Sequence, residues 1–417
     1  MRMDSSPARK LPMPAPSPTP SPTPDPEGQN LKKLSIPKKV KKRLKLFSVR
    51  LGLDMTFLFL VILLVIIGLI MMFSASYPSA LEYTGNSFTY LFRQAMFAVG
   101  GIVVMFIFSY LDYHHWHKLA VPVLVIALIA LVATLFWPTG SDVHRWIGFG
   151  AVTIQSSEIA KFAVVLFMAH WGSKFFKKMD TFRYGVLPGL VIFLPVAFLL
   201  FKEPHYSGIV IIFLLVATMM FISGVKMRYF IIIGAIIAIA IIVLVATGML
   251  GYAMDRLEGW GQALTYKDEE LWQKTYQTRN SLYAIGSGGF FGVGLGQSRQ
   301  KFLYIPEVQN DFVFSVVCEE MGFVGAAIIL CIFALLVWRG ITISMRAKDK
   351  FGSLLGIGLS AQIGIQVILN IMVITDWLPN TGISLPFFSS GGSSLLMLLG
   401  QMGIILSISR TSNLEKA

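Results

Sequence analysis

The clearest chemistry in the sequence lies in one stretch with three carboxylates. In YIPEVQNDFVFSVVCEEMGFVG, Tyr304 to Gly325, Asp311 sits where a polar segment meets an apolar run, and Glu319 and Glu320 lie within that run. An ionisable side chain in hydrocarbon costs a few kcal/mol, so it is normally there for a site or a pathway and not for stability. Asp311, nearest the water, is placed to take a proton from a hydroxyl group. Its competing reading is the N-cap of a helix that begins at Phe312.

A second set is cationic. In HRWIGFGAVTIQSSEIAKFA, His144 to Ala163, Gln155, Ser156 and Ser157 suit a helix cap and Glu158 suits a first turn, which leaves Arg145 and Lys161 to be explained. Lys161 lies about one turn deeper than Ser157 and needs a polar cavity or an anion around it. Arg93, beside Gln94, is a third cation at similar depth. Cations converging near a carboxylate suit an anionic lipid-linked substrate, and snorkelling to headgroups is the plainer account. The third set is Gln366, Asn370 and WLPNTGISLPFFSSGGSSLL, Trp377 to Leu396, where Ser389, Ser390, Ser393 and Ser394 are substrate donors or helix caps. Pro379, Pro386, Gly391 and Gly392 predict irregular backbone lining a cavity. A Ser-His-Asp hydrolase is disfavoured, because His144 and His205 are the only histidines on this face and no nucleophile elbow is present.

The elements that must hold these residues are membrane helices. The 417 residues are 55% hydrophobic and 14% charged, with mean hydropathy +0.69. Apolar runs over 54–74, 92–111, 119–137, 155–171, 186–201, 208–224, 229–250, 312–339, 352–374 and 393–409 predict an all-α polytopic membrane protein with about ten transmembrane helices. Lys and Arg cluster before the first run and in alternate loops, which places both termini on the cytoplasmic side and the chemistry outside. The net charge of +13 sits at membrane borders and in the tail, so it points to membrane lipids and no nucleic acid. Cys318 and Cys331 suggest no disulfide framework.

Residues 1–50 read as a disordered Pro-rich and basic cytoplasmic tail, 51–410 as the transmembrane domain and 411–417 as a second cytoplasmic tail. Between helices 7 and 8 lies a large extracytoplasmic loop, 251–310, whose aromatics, Trp260 and Trp272 among them, predict order and packing onto the membrane surface. Its GSGGFFGVGLGQS segment, Gly286 to Ser298, has some features of a phosphate loop; a glycine-rich re-entrant turn packed on other helices is the stronger reading.

FSAS (Phe73 to Ser76), RWIGFG with QSSEIAK, AIGSGGFFGVGLGQS, YIPEVQNDFVFSVVCEEMGFVG and PNTGISLPFFSSGGSS, in that order, resemble the signatures of the SEDS family of cell-wall polymerases, which includes FtsW, RodA and SpoVE. The likeness runs from Asp54 to Arg410 and is strongest to the FtsW branch. It implies a peptidoglycan glycosyltransferase of the bacterial plasma membrane, acting at the division septum. Such an enzyme polymerises lipid II, the undecaprenyl-diphosphate-linked disaccharide pentapeptide, beside a class B penicillin-binding protein transpeptidase and other divisome proteins. The family's essential aspartate falls on Asp311, and Glu307, Arg145, Lys161 and Arg93 match charged family positions.

Three motifs depart from the family's usual pattern. Gln309 and Asn310 stand for His-Thr, Ser390 for Tyr, and Glu203-Pro204-His205 for Gln/Glu-Pro-Asp. An acidic role at that last position is absent, shifted to Glu203 or taken by His205. Sugar transfer from a diphosphate lipid needs a base, read as Asp311, and positive charge for the leaving group. Arg145, Lys161, Arg93 and Arg256 are candidates, with a divalent cation, Mg or Mn, whose ligands are unknown; Gln277 and Ser393 complete the candidate substrate contacts. Polymerases for elongation or spore cortex, a lipid II flippase and a division scaffold are the alternatives. Polar residues in broken helices also build transporter sites, but here they gather at one face and no inverted repeat is evident.

Overall fold

The computed structural model describes residues 52–137, 145–149, 152–246, 259–265 and 268–411. The tail assigned to 1–50, most of the segment 411–417, His144 and Arg256 lie outside the described residues. The helices are α1 (Met55–Thr84), α2 (Thr89–Tyr110), α3 (His114–Phe136), α4 (Ser156–Lys174), α5 (Leu187–Lys202), α6 (Tyr206–Ile222) and α7 (Met227–Ala246). They continue as α8 (Glu269–Lys274), α9 (Tyr276–Gly288), α10 (Val308–Asp311), α11 (Val313–Met345), α12 (Lys350–Ile374) and α13 (Gly392–Thr411). Each apolar run expected to be a helix falls on one of these. Among the described residues, seven helices are long and apolar enough to cross a membrane, which makes this a multi-pass membrane protein.

Two local departures stand out. Residues Trp146–Phe149 (β1) and Val152–Gln155 (β2) form an antiparallel hairpin with Trp146 opposite Gln155, where only helices were expected. Trp, Ile, Phe, Val and Thr favour a pleated ribbon, and four residues are too few for a period to register. Gln155 occupies the N-cap position of α4 without a side-chain capping bond, so the capping role expected of this segment is not realised.

Near its start α11 is broken. Gly322 has φ 65° and ψ −169°, which interrupts the helical hydrogen-bond ladder. The glycine loop fills the gap. Val293 and Gly294 N–H donate to the Glu319 and Glu320 carbonyls at 2.9 and 3.1 Å, and Phe323 and Val324 N–H donate to the Gly289 and Phe290 carbonyls at 2.9 and 3.1 Å. Backbone groups freed at membrane depth must find partners inside the protein, and here the loop supplies them. A Cβ on Gly322 would lie 2.3 Å from the Gly292 nitrogen, so the two backbones meet only where neither carries a side chain. The loop is a glycine-rich turn packed on a helix, as that part of the expectation had it. Its amides serve the protein itself, not a phosphate.

The same loop explains Glu319 and Glu320, read above as marks of a site. Glu319 accepts from the Arg299 and Gln300 N–H groups at 2.9 and 3.3 Å and from the Ser298 hydroxyl. Glu320 accepts from Ser74 at 2.7 Å and from the Lys301 ammonium at 2.8 Å. Both carboxylates are 1% exposed and Lys301 is 2% exposed. They anchor the loop to α11. That role was hidden because their partners lie elsewhere in the chain, and Ser74 in another helix altogether.

At the start of α1 a second ion pair, between buried Asp54 and half-buried Arg339, ties three helices. Asp54 caps α1 through Phe57 N–H at 2.8 Å, meets Arg339 of α11 at 2.6 Å, and its N–H reaches Ser409 of α13 at 3.3 Å. Lys301→Ala leaves the Glu320 charge buried without its cation and is expected to cost about 3–5 kcal/mol. The thermal midpoint of the detergent-solubilised protein falls accordingly. The double variant Lys301→Ala with Glu320→Ala recovers a large part of that loss.

Candidate active site

Asp311 ends the one-turn helix α10, and the backbone turns at Phe312 (φ −112°, ψ 15°) before α11 begins. That turn is latched from two directions. The fully buried Asn370 of α12 donates to the Asp311 carbonyl at 2.9 Å and to the Ile383 carbonyl at 2.6 Å. Ser390 N–H donates to the Gln309 carbonyl at 2.8 Å. The irregular segment 375–391 is thereby clasped to the Asp311 turn, as its prolines and glycines predict. The N-cap reading of Asp311 is not realised: the N-cap position of α11 is Phe312, and no side-chain capping bond is made there.

Asp311 opens onto two cavities. One, of about 210 Å³, is lined by Arg145, Ser157, Lys161, His205, Asn310 and Ser394, with Ile211 and Leu398 among its apolar residues. It is called here the cationic cavity. The other, of about 400 Å³, is lined by Trp260, Lys274, Gln277, Thr278, Asp376 and Asn380 and is called the amide cavity. Asp311, Arg145 and Gly382 line both. Gly382 has φ 70°, and a Cβ there would come within 3.0 Å of Asp311 Oδ2. A side chain at this position would therefore strain the backbone and press on the carboxylate.

Burial pushes the Asp311 carboxyl up to about 6; the Arg145 guanidinium opposes the rise and the Glu307 charge adds to it. A carboxylate with that value is ionised at neutral pH and still basic enough to share a proton. Lys161 is 3% exposed and sits 2.7 Å from Glu158 Oε1, so the expected anion beside it is partly the protein's own. Glu203 is sealed from solvent. Burial, against the pull of Arg145, raises its carboxyl to about 8, and it is protonated at neutral pH. His205 is lowered to about 3 by burial, with Arg145 and Lys161 adding to the effect, and its ring is neutral.

The structure brings Asp311, Arg145 and Lys161 into one wall and Gln277 into the adjoining one. Gln277 donates to the Pro306 carbonyl at 3.3 Å and accepts from Asn380 at 2.8 Å. Arg93 is directed elsewhere and donates to Thr153 of the hairpin at 3.1 Å. Glu307 is exposed, with φ 49°, and its carboxylate holds the Gln309 and Asn310 amides at 3.0 and 3.1 Å. It acts on Asp311 through its charge. Ser393 is buried and among the described residues its hydroxyl has no hydrogen-bond partner; its neighbour Ser394 lines the cationic cavity instead. Asn380 and Gly382 line the cavity beside Asp311, a placement that sequence reasoning passed over, although the Pro-Asn-Thr-Gly run that holds them was visible as a turn signal.

A divalent cation fits the described residues poorly. Among them no group of three His, Cys, Asp or Glu side chains is placed to hold a metal ion. In the cationic cavity Glu158 is engaged by Lys161, which leaves Asp311 as the carboxylate to spare. What the site does contain is a basic carboxylate, cations beside it, and two compartments that meet at it. That is an arrangement for moving a group between two bound molecules with proton transfer at the junction.

Residues 54–414 match the family model of cell cycle proteins FtsW, RodA and SpoVE, and the chain belongs to that family. It is 37% identical to stage V sporulation protein E of Bacillus subtilis over 86% of this chain and 97% of that one. It is 36% identical to a probable peptidoglycan glycosyltransferase FtsW of Geobacter sp. strain M18, again over 86% and 97%. Among solved structures it resembles RodA of Thermus thermophilus, with TM-score 0.62 and 25% identity over 87% of this chain and 98% of that one. A chain from a peptidoglycan synthase complex, solved for the coordination of polymerization and crosslinking, shares the fold at TM-score 0.69 and 24% identity over 86% and 98%.

Two outcomes follow for the junction. Activity that needs ionised Asp311 is present above pH 6 and falls as pH drops through about 6. In Arg145→Ala the influence that lowers this value is gone, so the acid limb of the pH–rate profile moves to higher pH. Gly382→Ala displaces the carboxylate and is expected to lower turnover by about a hundredfold while the protein still inserts, measured as initial rate against the amount of membrane-inserted protein.

Proposed function

We propose that the chain is a peptidoglycan glycosyltransferase that joins lipid II units into glycan strands, with Asp311 as general base. The observation that carries this reading is the position of Asp311 at the meeting point of two differently lined cavities. A polymerase needs to hold a diphosphate-linked donor and a sugar acceptor at once. The cationic cavity, with apolar Ile211, Leu395 and Leu398, suits the lipid-diphosphate end; the amide cavity, with Trp260, Gln277 and Asn380, suits an uncharged sugar. In a single displacement the acceptor hydroxyl oxygen attacks the donor's anomeric carbon, Asp311 takes the hydroxyl proton, and the bond to the diphosphate oxygen breaks. Arg145 and Lys161 then face the negative charge of the departing diphosphate.

Septal wall synthesis beside a class B penicillin-binding protein transpeptidase is the finer form of this reading. It is supported by relatives named FtsW and by the neighbour solved in a peptidoglycan synthase complex. The sporulation relative favours a polymerase of spore-cortex type as the second form. A fluorescent fusion that collects at the division site through the cell cycle supports the first; accumulation confined to sporulating cells supports the second.

The decisive assay gives labelled lipid II to the purified full-length protein, alone and with a co-purified class B transpeptidase, and resolves the products on a gel. The wild type is expected to form glycan ladders, and Asp311→Asn is expected to lose about 10²- to 10⁴-fold in rate, as removal of a general base does. If the wild type forms no ladder where an established polymerase does, the polymerase reading falls and lipid II translocation in liposomes becomes the activity to measure.

A further inference from the structure

Three helices begin at the cationic cavity. α4 starts at Ser156, α6 at Tyr206 and α13 at Gly392, and Ser157, Glu158, Ser207, Gly208 and Ser394 from their first turns lie in its wall. Each helix start presents N–H groups unused within the helix and the positive end of its dipole. Gln155 and His205 hold the N-cap positions of α4 and α6 without a side-chain capping bond, so neither start is closed by its own cap.

Helix starts alone do not define a ligand, but here buried polar side chains are left unsatisfied beside them. Ser157 is 1% exposed and His205 is 7% exposed, both line the cavity, and among the described residues neither the Ser157 hydroxyl nor His205 Nδ1 has a hydrogen-bond partner. Leaving a buried polar group unpaired costs about 1–3 kcal/mol, so two in one wall are expected to serve a bound group. Lys161 uses one of its three ammonium donors on Glu158 and keeps the others for a ligand. The amide cavity differs. It meets one helix of this kind, α9, and among the described residues no side chain that lines it alone is buried and unsatisfied.

We propose that this wall seats the diphosphate of the lipid-linked donor, and that Ser157 and His205 are ligands that make the site prefer a diphosphate to a monophosphate. The proposal rests on the polymerase reading above. A second phosphate extends the anion beyond the reach of one cation, and the groups placed to meet it are the Ser157 hydroxyl and the neutral imidazole. The ring donates through an N–H and brings no further fixed positive charge beside Arg145 and Lys161. This also gives a role to the Glu203-Pro204-His205 segment: Glu203 is sealed away and protonated, and His205 is the member that reaches the cavity.

The test uses the full-length protein in nanodiscs and compares binding of farnesyl diphosphate, farnesyl monophosphate and farnesol. The wild type is expected to bind the diphosphate at least tenfold more tightly than the monophosphate, and both more tightly than the alcohol. Ser157→Ala and His205→Ala each reduce the diphosphate-to-monophosphate preference by about tenfold, the effect of one hydrogen bond to a charged group. His205→Gln retains a side-chain donor and restores most of the preference, which loss of fold would not do; it also stands in if His205→Ala fails to fold. Full preference in both alanine variants overturns the proposal. So does a preference lost in Gln277→Ala and kept in His205→Ala, which would move the diphosphate to the amide cavity. Wild-type ladders that vanish in Asp311→Asn, together with unchanged preference in His205→Ala, sink this assignment and leave the polymerase reading standing. Absence of wild-type ladders sinks the polymerase reading, and the farnesyl preference still decides where a diphosphate sits.

Discussion

At membrane depth no backbone group can be left bare, and that constraint shapes every irregular segment around Asp311. The break at Gly322 exposes two carbonyls and two N–H groups of α11, and the loop from Gly289 to Gly294 pairs with all four. The segment 375–391 is held in the same way, by Asn370 bridging the Asp311 and Ile383 carbonyls and by Ser390 N–H on the Gln309 carbonyl. Loops that must bond to helices to exist cannot drift. The position of the carboxylate is therefore inherited from backbone hydrogen bonds and not from contacts of its own side chain.

Electrostatics at the site follow from which charges are cancelled. Glu158 and Lys161 neutralise each other across 2.7 Å, Glu203 is protonated in its sealed position, and His205 is neutral. Arg145 and Asp311 are opposite charges that border both cavities. Burial raises the basicity of Asp311, while Arg145 restrains the rise and keeps the carboxylate ionised at neutral pH. A stronger cation field would make the base too weak, and a drier pocket without Arg145 would leave it protonated. The same guanidinium borders both cavities, so one residue both restrains the Asp311 carboxyl and lines the space on either side of it.

The buried carboxylates divide into two kinds, and their surroundings tell them apart. Glu319 and Glu320 have their oxygens saturated by Ser74, by the backbone of 298–300 and by Lys301, which makes them supports for the glycine loop. Asp311 faces open volume on two sides. A saturated carboxylate is costly to disturb and inert; a carboxylate facing volume is available to a substrate.

What the sequence determined by itself was whatever depends on local pattern. Apolar runs of membrane length gave the helices, Pro and Gly after Trp377 gave the irregular segment, and the ordered motifs gave the family and Asp311. Arg145 and Lys161 were also legible, since a cation at the edge of an apolar run asks for a partner. Only the tertiary structure decided which partners are met. Arg93 turned to Thr153, and Glu319 and Glu320 proved to be anchors. The Asp311 turn was clasped by Asn370, 59 residues along the chain, and Glu320 by Ser74, 246 residues away. Hydropathy and spacing report the surroundings of a residue along the chain, whereas hydrogen bonds and cavities are made across it, where helices distant in sequence come to lie side by side.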